Sequence, residues 1–162
     1  MALALSLSAS AAMAGGSVTA TASASVTILA PVTLSATQAL DFGAVTRPGN
    51  TGANTITLDP STSSVTLSGT GDAARAAGSV SAAKFSLIGT AGMTYSTTQS
   101  LTFAQPGLTR ISASTPVPGS GSLGVLPATG TQELRFGGAF DLSANTPAQA
   151  FTGALTVTVN YN

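Results

Sequence analysis

Leu155, Val157, Val159 and Tyr161 alternate with Thr156, Thr158 and Asn160 in the C-terminal stretch FTGALTVTVNYN. Side chains of a strand point alternately to opposite faces, so every apolar group here falls on one side and every polar group on the other. Such a stretch is either the last strand of a sandwich or an edge offered to another protein. The choice between the two decides what the chain can do.

The rest of the composition agrees with strands. Gly, Ser, Thr and Ala dominate, and Thr and Val sit mostly in alternating runs, a pattern that favours strands and tight turns over helices. Only 6% of the residues are charged, against roughly a quarter in ordinary soluble domains. Five Lys and Arg balance five Asp and Glu, so no net field steers nucleic acid or an anionic membrane. Disordered chains are rich in charge and poor in β-branched residues, which this chain is not. Cys, His and Trp are absent. That removes disulfides, the commonest general base, the commonest transition-metal ligand and the best nucleophile together.

The chain's 162 residues suffice for one domain with a sizeable core. Residues 1–14, MALALSLSASAAMA, pair an apolar run with Ala12-Met13-Ala14, the pattern of a signal peptide ending in an A-x-A cleavage site. With no positive start in view, the true beginning is expected upstream of Met1, and the mature chain is expected from Gly15. The run is too short and too rich in Ser for a transmembrane span, which needs about 20 apolar residues. Residues 15–30 then form an N-terminal extension. Within it Val18, Ala20, Ala22, Ala24, Val26 and Ile28 alternate with Ser and Thr, predicting a long strand closed by Pro31.

Residues 31–162 are expected to form the folded domain. Further strands are predicted over Val32–Ser35, Leu40–Val45, Thr55–Leu58, Val65–Leu67 and around Ala83, Phe85 and Leu87. Met93–Thr97 and Leu101–Phe103 flank a turn, and Thr109–Ala113 follows. Leu134, Phe136, Phe140 and Leu142 share one parity of a strand interrupted by Gly137-Gly138, before the closing strand. Thr115–Gly130 reads as a long loop and Ala73–Ala77 as a single helical turn. Short strands separated by frequent turn signals predict an antiparallel immunoglobulin-like β-sandwich of about seven to nine strands. Phe42, Phe85, Phe136 and Phe140 are expected inside.

Chemical motifs are weak. Gly119–Gly124 fits a nucleotide-binding G-x-G-x-x-G, but it follows prolines instead of a strand, and Pro127 blocks the helix that would hold a phosphate. Gly69–Ala74 follows a strand, yet no acidic residue lies about 20 positions on, where the ribose would need one. Leu126-Pro127-Ala128-Thr129-Gly130 matches a sortase sorting motif without the apolar span and basic tail that must follow it. Asp41, Asp59, Asp72, Glu133 and Asp141 stand singly, with no calcium-loop spacing. Lys84 on a strand's outer face reads as a charge against aggregation. No catalytic residue, metal ligand or cofactor site is expected.

Leu40-Asp41-Phe42-Gly43, Ala82-Ala83-Lys84-Phe85 with Gly89, Gly92 and Tyr95 behind it, Phe136-Gly137-Gly138 and the ending Phe151–Asn162 occur in an order that resembles a secreted bacterial family, domain of unknown function 4402. Members of that family resemble pilus subunits and are often encoded near periplasmic pilus chaperones. Subunits of the chaperone–usher class share an alternating N-terminal extension and a C-terminal strand with a penultimate Tyr, here Tyr161. Their sandwich lacks one strand, which a chaperone lends and the next subunit's extension then replaces. This chain departs in having no disulfide and in offering only Gly153 for a glycine that usually stands earlier.

The resemblance implies an exported subunit, in the periplasm in transit and then on a Gram-negative surface. Its partners would be copies of itself or related subunits, a chaperone and an outer-membrane usher, with no nucleic acid. The subunit and chaperone contacts would be Val18, Ala20, Ala22, Ala24, Val26, Ile28, Leu155, Val157, Val159 and Tyr161. The competing expectation is a non-catalytic secreted binding module, an adhesin or a carbohydrate- or surface-associated sandwich. Sugar platforms usually offer exposed aromatics, and this chain has no Trp and two Tyr. Val18–Ile28 is expected to act between subunits as a donor strand, because its alanines suit a narrow gap better than a core; the alternative is strand A of its own complete sandwich, which would close the edge internally.

Overall fold

A computed structural model of the protein describes residues 19–116 and 123–162. The expected signal peptide, Val18 and most of the Gly119–Gly124 loop lie outside these residues. The described residues form ten strands and no helix. In chain order these are β1 (Thr33–Gln38), β2 (Ala53–Leu58), β3 (Val65–Gly69), β4 (Ala83–Ile88) and β5 (Thr94–Phe103). They continue with β6 (Thr109–Ala113), β7 (Leu123–Val125), β8 (Thr131–Phe136), β9 (Gly138–Ser143) and β10 (Gly153–Tyr161).

All strand pairs are antiparallel, in three sheets ordered β1-β4-β8, β10-β5-β7 and β3-β2-β9-β6. The inner face of β5 links them into a β-sandwich. At one end, here called upper, Tyr95 packs with Leu87, Leu134 and Phe136 of β4 and β8. At the lower end Phe103 meets Phe140 of β9 edge-on, ring centroids 5.7 Å apart. Thr97 and Gln99 lie between these two apolar clusters, and neither Thr97 Oγ1 nor Gln99 Oε1 has a partner among the described residues. Outward, β5 and β10 set hydroxyls and amides side by side: Ser100 against Thr156, Thr98 against Thr158, Ser96 against Asn160.

Gly137 turns the chain from one sheet into another. β8 ends at Phe136 in the sheet with β4, and β9 starts at Gly138 in the sheet with β2. A Cβ at Gly137 would collide with the Leu58 carbonyl oxygen and lie 3.1 Å from Pro60 Cδ, so only glycine allows so close a crossing. Its N–H donates to Ser114 Oγ at 2.8 Å, and its carbonyl accepts from Ser114 N at 3.1 Å. The predicted interruption at Gly137-Gly138 is therefore a corner between sheets.

Other expectations need correction. Leu40–Val45 forms no strand and keeps only isolated bridges, Asp41 to Ser81 and Val45 to Arg75. Met93–Thr97 and Leu101–Phe103 flank no turn, because Thr94–Phe103 is one strand paired along its length with β10. The polar run Thr97-Thr98-Gln99-Ser100 imitates a turn in sequence but is held in register by its neighbour. Leu123–Val125 makes a short strand inside the predicted loop, and Ala73–Ala77 has no helical turn. Phe136 and Phe140 are buried as expected, whereas Phe42 and Phe85 are only partly so. Both line an opening in the sandwich.

Candidate functional site

Each sheet ends in strands with a neighbour on one side only, and two of these edge strands, β1 and β10, border the opening in the sandwich. β1 pairs with β4 and β10 pairs with β5, and the opposite edge of each has no strand among the described residues. The two edges face one gap. Thr33 at the start of β1 pairs with Ile88, and the Tyr161 hydroxyl at the end of β10 accepts the Thr90 N–H at 2.8 Å. The start of β1 and the end of β10 therefore share the upper end, and the two strands run in opposite directions.

At the lower end the gap widens into a groove of about 900 Å³. One wall runs from Ala36 to Arg47, where the chain leaves β1 and passes along residues 74–81. The other is the approach to β10, Pro147–Gly153, with Leu155. Phe42, Phe103 and Phe140 form much of the floor as mutually tilted or edge-on rings, with Phe42 and Phe140 centroids 5.0 Å apart. Such a surface gains from being covered, at about 25 cal/mol per Å² of apolar area removed from water.

The charges of the groove sit at its rim. Asp41 is tied to its own wall, accepting from Gly43 N at 2.8 Å and from Ser79 Oγ at 3.1 Å, and Arg47 is exposed. The two carboxylates held below the usual range lie in turns outside the lining. Asp72 is lowered first by the Asn50 N–H and then by that of Gly49, and Asp59 mainly by the Ser61 hydroxyl and N–H. Burial pushes the Tyr95 phenol up, and its hydroxyl donates to Gln132 Oε1 at 3.0 Å. Lys84 faces Glu133 on the adjacent strand, nitrogen to oxygen 3.8 Å. Among the described residues no three His, Cys, Asp or Glu side chains gather where they could hold a metal ion.

The C-terminal candidates fall where the alternation places them. Leu155, Val157, Val159 and Tyr161 share the inner face of β10 and pack against the upper core, all partly buried, while Thr156, Thr158 and Asn160 are exposed. The phenol of Tyr161 reaches so close over Gly89 that a Cβ there would strike its hydroxyl. The described N-terminal candidates join no strand of the domain. Thr19–Pro31 belongs to no strand, and Ala20, Ala22, Ala24, Val26 and Ile28 are all exposed, Val26 at 84% and Ile28 at 89%. The alternation of that segment is real, but no strand of its own domain uses it.

Sequence reasoning overlooked the groove floor from Leu101 and Phe103 and the wall from Pro147 to Thr152. Tyr95, Thr97, Gln99, Leu101 and Phe103 share one parity, a signal that the polar pair in the middle hid.

Residues 32–161 match the family described as Domain of unknown function (DUF4402). The chain belongs to this family. The DUF4402 match takes in all ten strands and both walls of the groove, and it starts after the exposed segment Thr19–Pro31. No curated protein and no solved structure matches the chain.

Proposed function

We propose that this DUF4402 protein is an exported structural subunit of a bacterial surface filament or surface layer, assembled by β-strand addition. One observation carries the reading. The domain has an apolar groove bounded by two free strand edges, and the same chain has an exposed segment with small apolar residues on one parity. Free edges offer unpaired N–H and C=O groups along both sides of the gap, the chemistry that strand addition satisfies. The segment in turn has no apolar surface to cover it and no ladder to join. Each half supplies what the other lacks.

A periplasmic chaperone would occupy the groove before assembly and an usher would order the exchange, as the likeness to pilus subunits implies. An exposed apolar edge is an aggregation hazard until something covers it. The test is expression of the full chain in a bacterial periplasm with and without a synthetic peptide of residues 18–29. Strand addition predicts oligomers that resist mild detergent, and peptide-bound single subunits once the peptide is in excess. A subunit that stays monomeric and ignores the peptide refutes the reading.

A further inference from the structure

Edge strands invite pairing with other chains, and several edges of this sandwich away from the groove are blunted. β6 is broken by a register shift between Thr109 and Ser112, where Arg110 takes a left-handed φ of 50° and leaves its side chain 82% exposed. β8 carries the charges of Glu133 and Arg135, and β7 is three residues long. β3 has none of these devices. Its register with β2 is unbroken from Val65 to Gly69, and those five residues include no charge and no proline. No residue of β3 lines the groove.

The backbone bonds fix which groups of β3 are unpaired. Asp59 N donates to Ser64 O at 2.9 Å and Thr70 N to Ala53 O at 3.1 Å, one pair beyond each end of the β2–β3 ladder. In an antiparallel ladder, residues that exchange bonds alternate with residues that do not. Counting inward from either end gives one assignment. Ser64, Thr66, Ser68 and Thr70 turn their backbone groups to β2, and Val65, Leu67 and Gly69 turn theirs to the open side. No strand and no turn among the described residues bonds them there. Val65 and Leu67 are only partly buried on the inner face, and Thr66 and Ser68 are exposed on the outer one.

We infer that β3 is a lateral contact that pairs with β3 of a second copy of this chain, antiparallel about a two-fold axis through Leu67. In that register Leu67 faces its own counterpart and Val65 faces Gly69, so each outward N–H and C=O meets a partner. The inner face gains a leucine–leucine contact, and the outer face sets Thr66 against Ser68. An axis through Thr66 or Ser68 would leave Gly69 or Val65 facing no residue of the strand. Identical chains carry identical charges, so a charged edge would oppose itself, and this one has none.

The contact uses the same patch on both copies, so it closes at two and joins the β3-β2-β9-β6 sheets into one. It lies apart from the groove and does not rest on strand addition. In a filament it would tie neighbouring filaments side by side. A five-residue edge makes a small, weak interface alone, and many such contacts along two filaments hold together.

The natural chain has no cysteine, so Leu67→Cys introduces the only thiol. Facing Cα atoms of a bonded antiparallel pair stand about 5.5 Å apart, within the span of a disulfide. The full-length variant, made in a bacterial periplasm and oxidised with diamide, should run as disulfide-linked pairs. Adding Thr66→Lys with Ser68→Lys should cut the yield roughly tenfold, because the lysines oppose one another across the axis. Should Leu67→Cys impair folding, Thr66→Cys and Ser68→Cys, both at exposed positions, are mixed instead and should link faster than either variant alone. Thr66→Cys linking to itself as fast as to Ser68→Cys overturns the register. A thiol that stays reduced yet reacts with maleimide, or pairs indifferent to the two lysines, overturns the contact. Oxidation in excess peptide of residues 18–29 separates the two readings. Pairs that persist are lateral, even in a subunit that ignores the peptide and so refutes strand addition; pairs that disappear came from the groove, and the inference fails.

Discussion

Replacing Gly137 by Ala tests whether the corner between the sheets is as tight as the geometry requires. The added methyl meets the Leu58 carbonyl oxygen and lies 3.0 Å from the Leu58 carbonyl carbon, so backbone must move. The site is pinned opposite by Ser114, which bonds both the N–H and the C=O of Gly137. Overpacking of this kind costs about 1–3 kcal/mol, and the lack of a yielding side chain places it at the upper end. Loss of one Ser114 bond adds about 1 kcal/mol. The expected sum, about 3–4 kcal/mol, is a large part of the roughly 5–15 kcal/mol that holds a domain together. Urea denaturation should show the midpoint falling by more than about 1 M at unchanged slope. Gly78→Ala is the control, since its nearest neighbour would be Ala44 N at 3.6 Å, an ordinary contact. It should shift stability by less than about 0.5 kcal/mol. If the two variants unfold at the same urea concentration, the corner is not sterically closed and the argument fails.

Tyr161→Phe leaves the Thr90 N–H without its acceptor and should cost about 1–2 kcal/mol, with faster amide exchange at Thr90; unchanged exchange would show that the hydroxyl does not hold that turn. The lowered pKa values of Asp59 and Asp72 give stability that is present above the ordinary value of 3.8 and is lost as pH falls through the lowered folded-state values. A thermal midpoint that declines on acidification below that value, and declines less in an Asp59→Asn, Asp72→Asn double variant, is the expected outcome. Identical acid profiles for the natural and double-variant chains would contradict it.

Where one face of a strand is buried, the sequence announced it. The parity of Leu155 to Tyr161 and of Leu134 to Leu142 could be read directly, because water separates such residues two by two. It failed where polar residues face inward. Thr97 and Gln99 occupy inner positions of β5 and broke the apolar pattern, so one strand was read as two. Leu40–Val45 has a strand's composition, yet it borders the open groove and finds only isolated bridges. The groove itself was illegible, since it is made by residues as distant as Phe42 and Phe151, brought together by topology alone. The segment before β1 was the reverse case: its pattern was clear, yet residues 19–31 join no strand.

The outward side of β5 and β10 has a further consequence. Its paired rows of Ser, Thr and Asn contain no ionised group. Ionic atmospheres act on charges, so changing salt concentration leaves the potential of this side almost untouched. Two such sides neither repel at low ionic strength nor gain attraction at high. What resists their approach is the water bound to hydroxyls and amides, which solutes excluded from protein surfaces displace and simple electrolytes at modest concentration do not. The cohesion of material built from such sides would then follow hydration and drying, with little regard for the salinity around it.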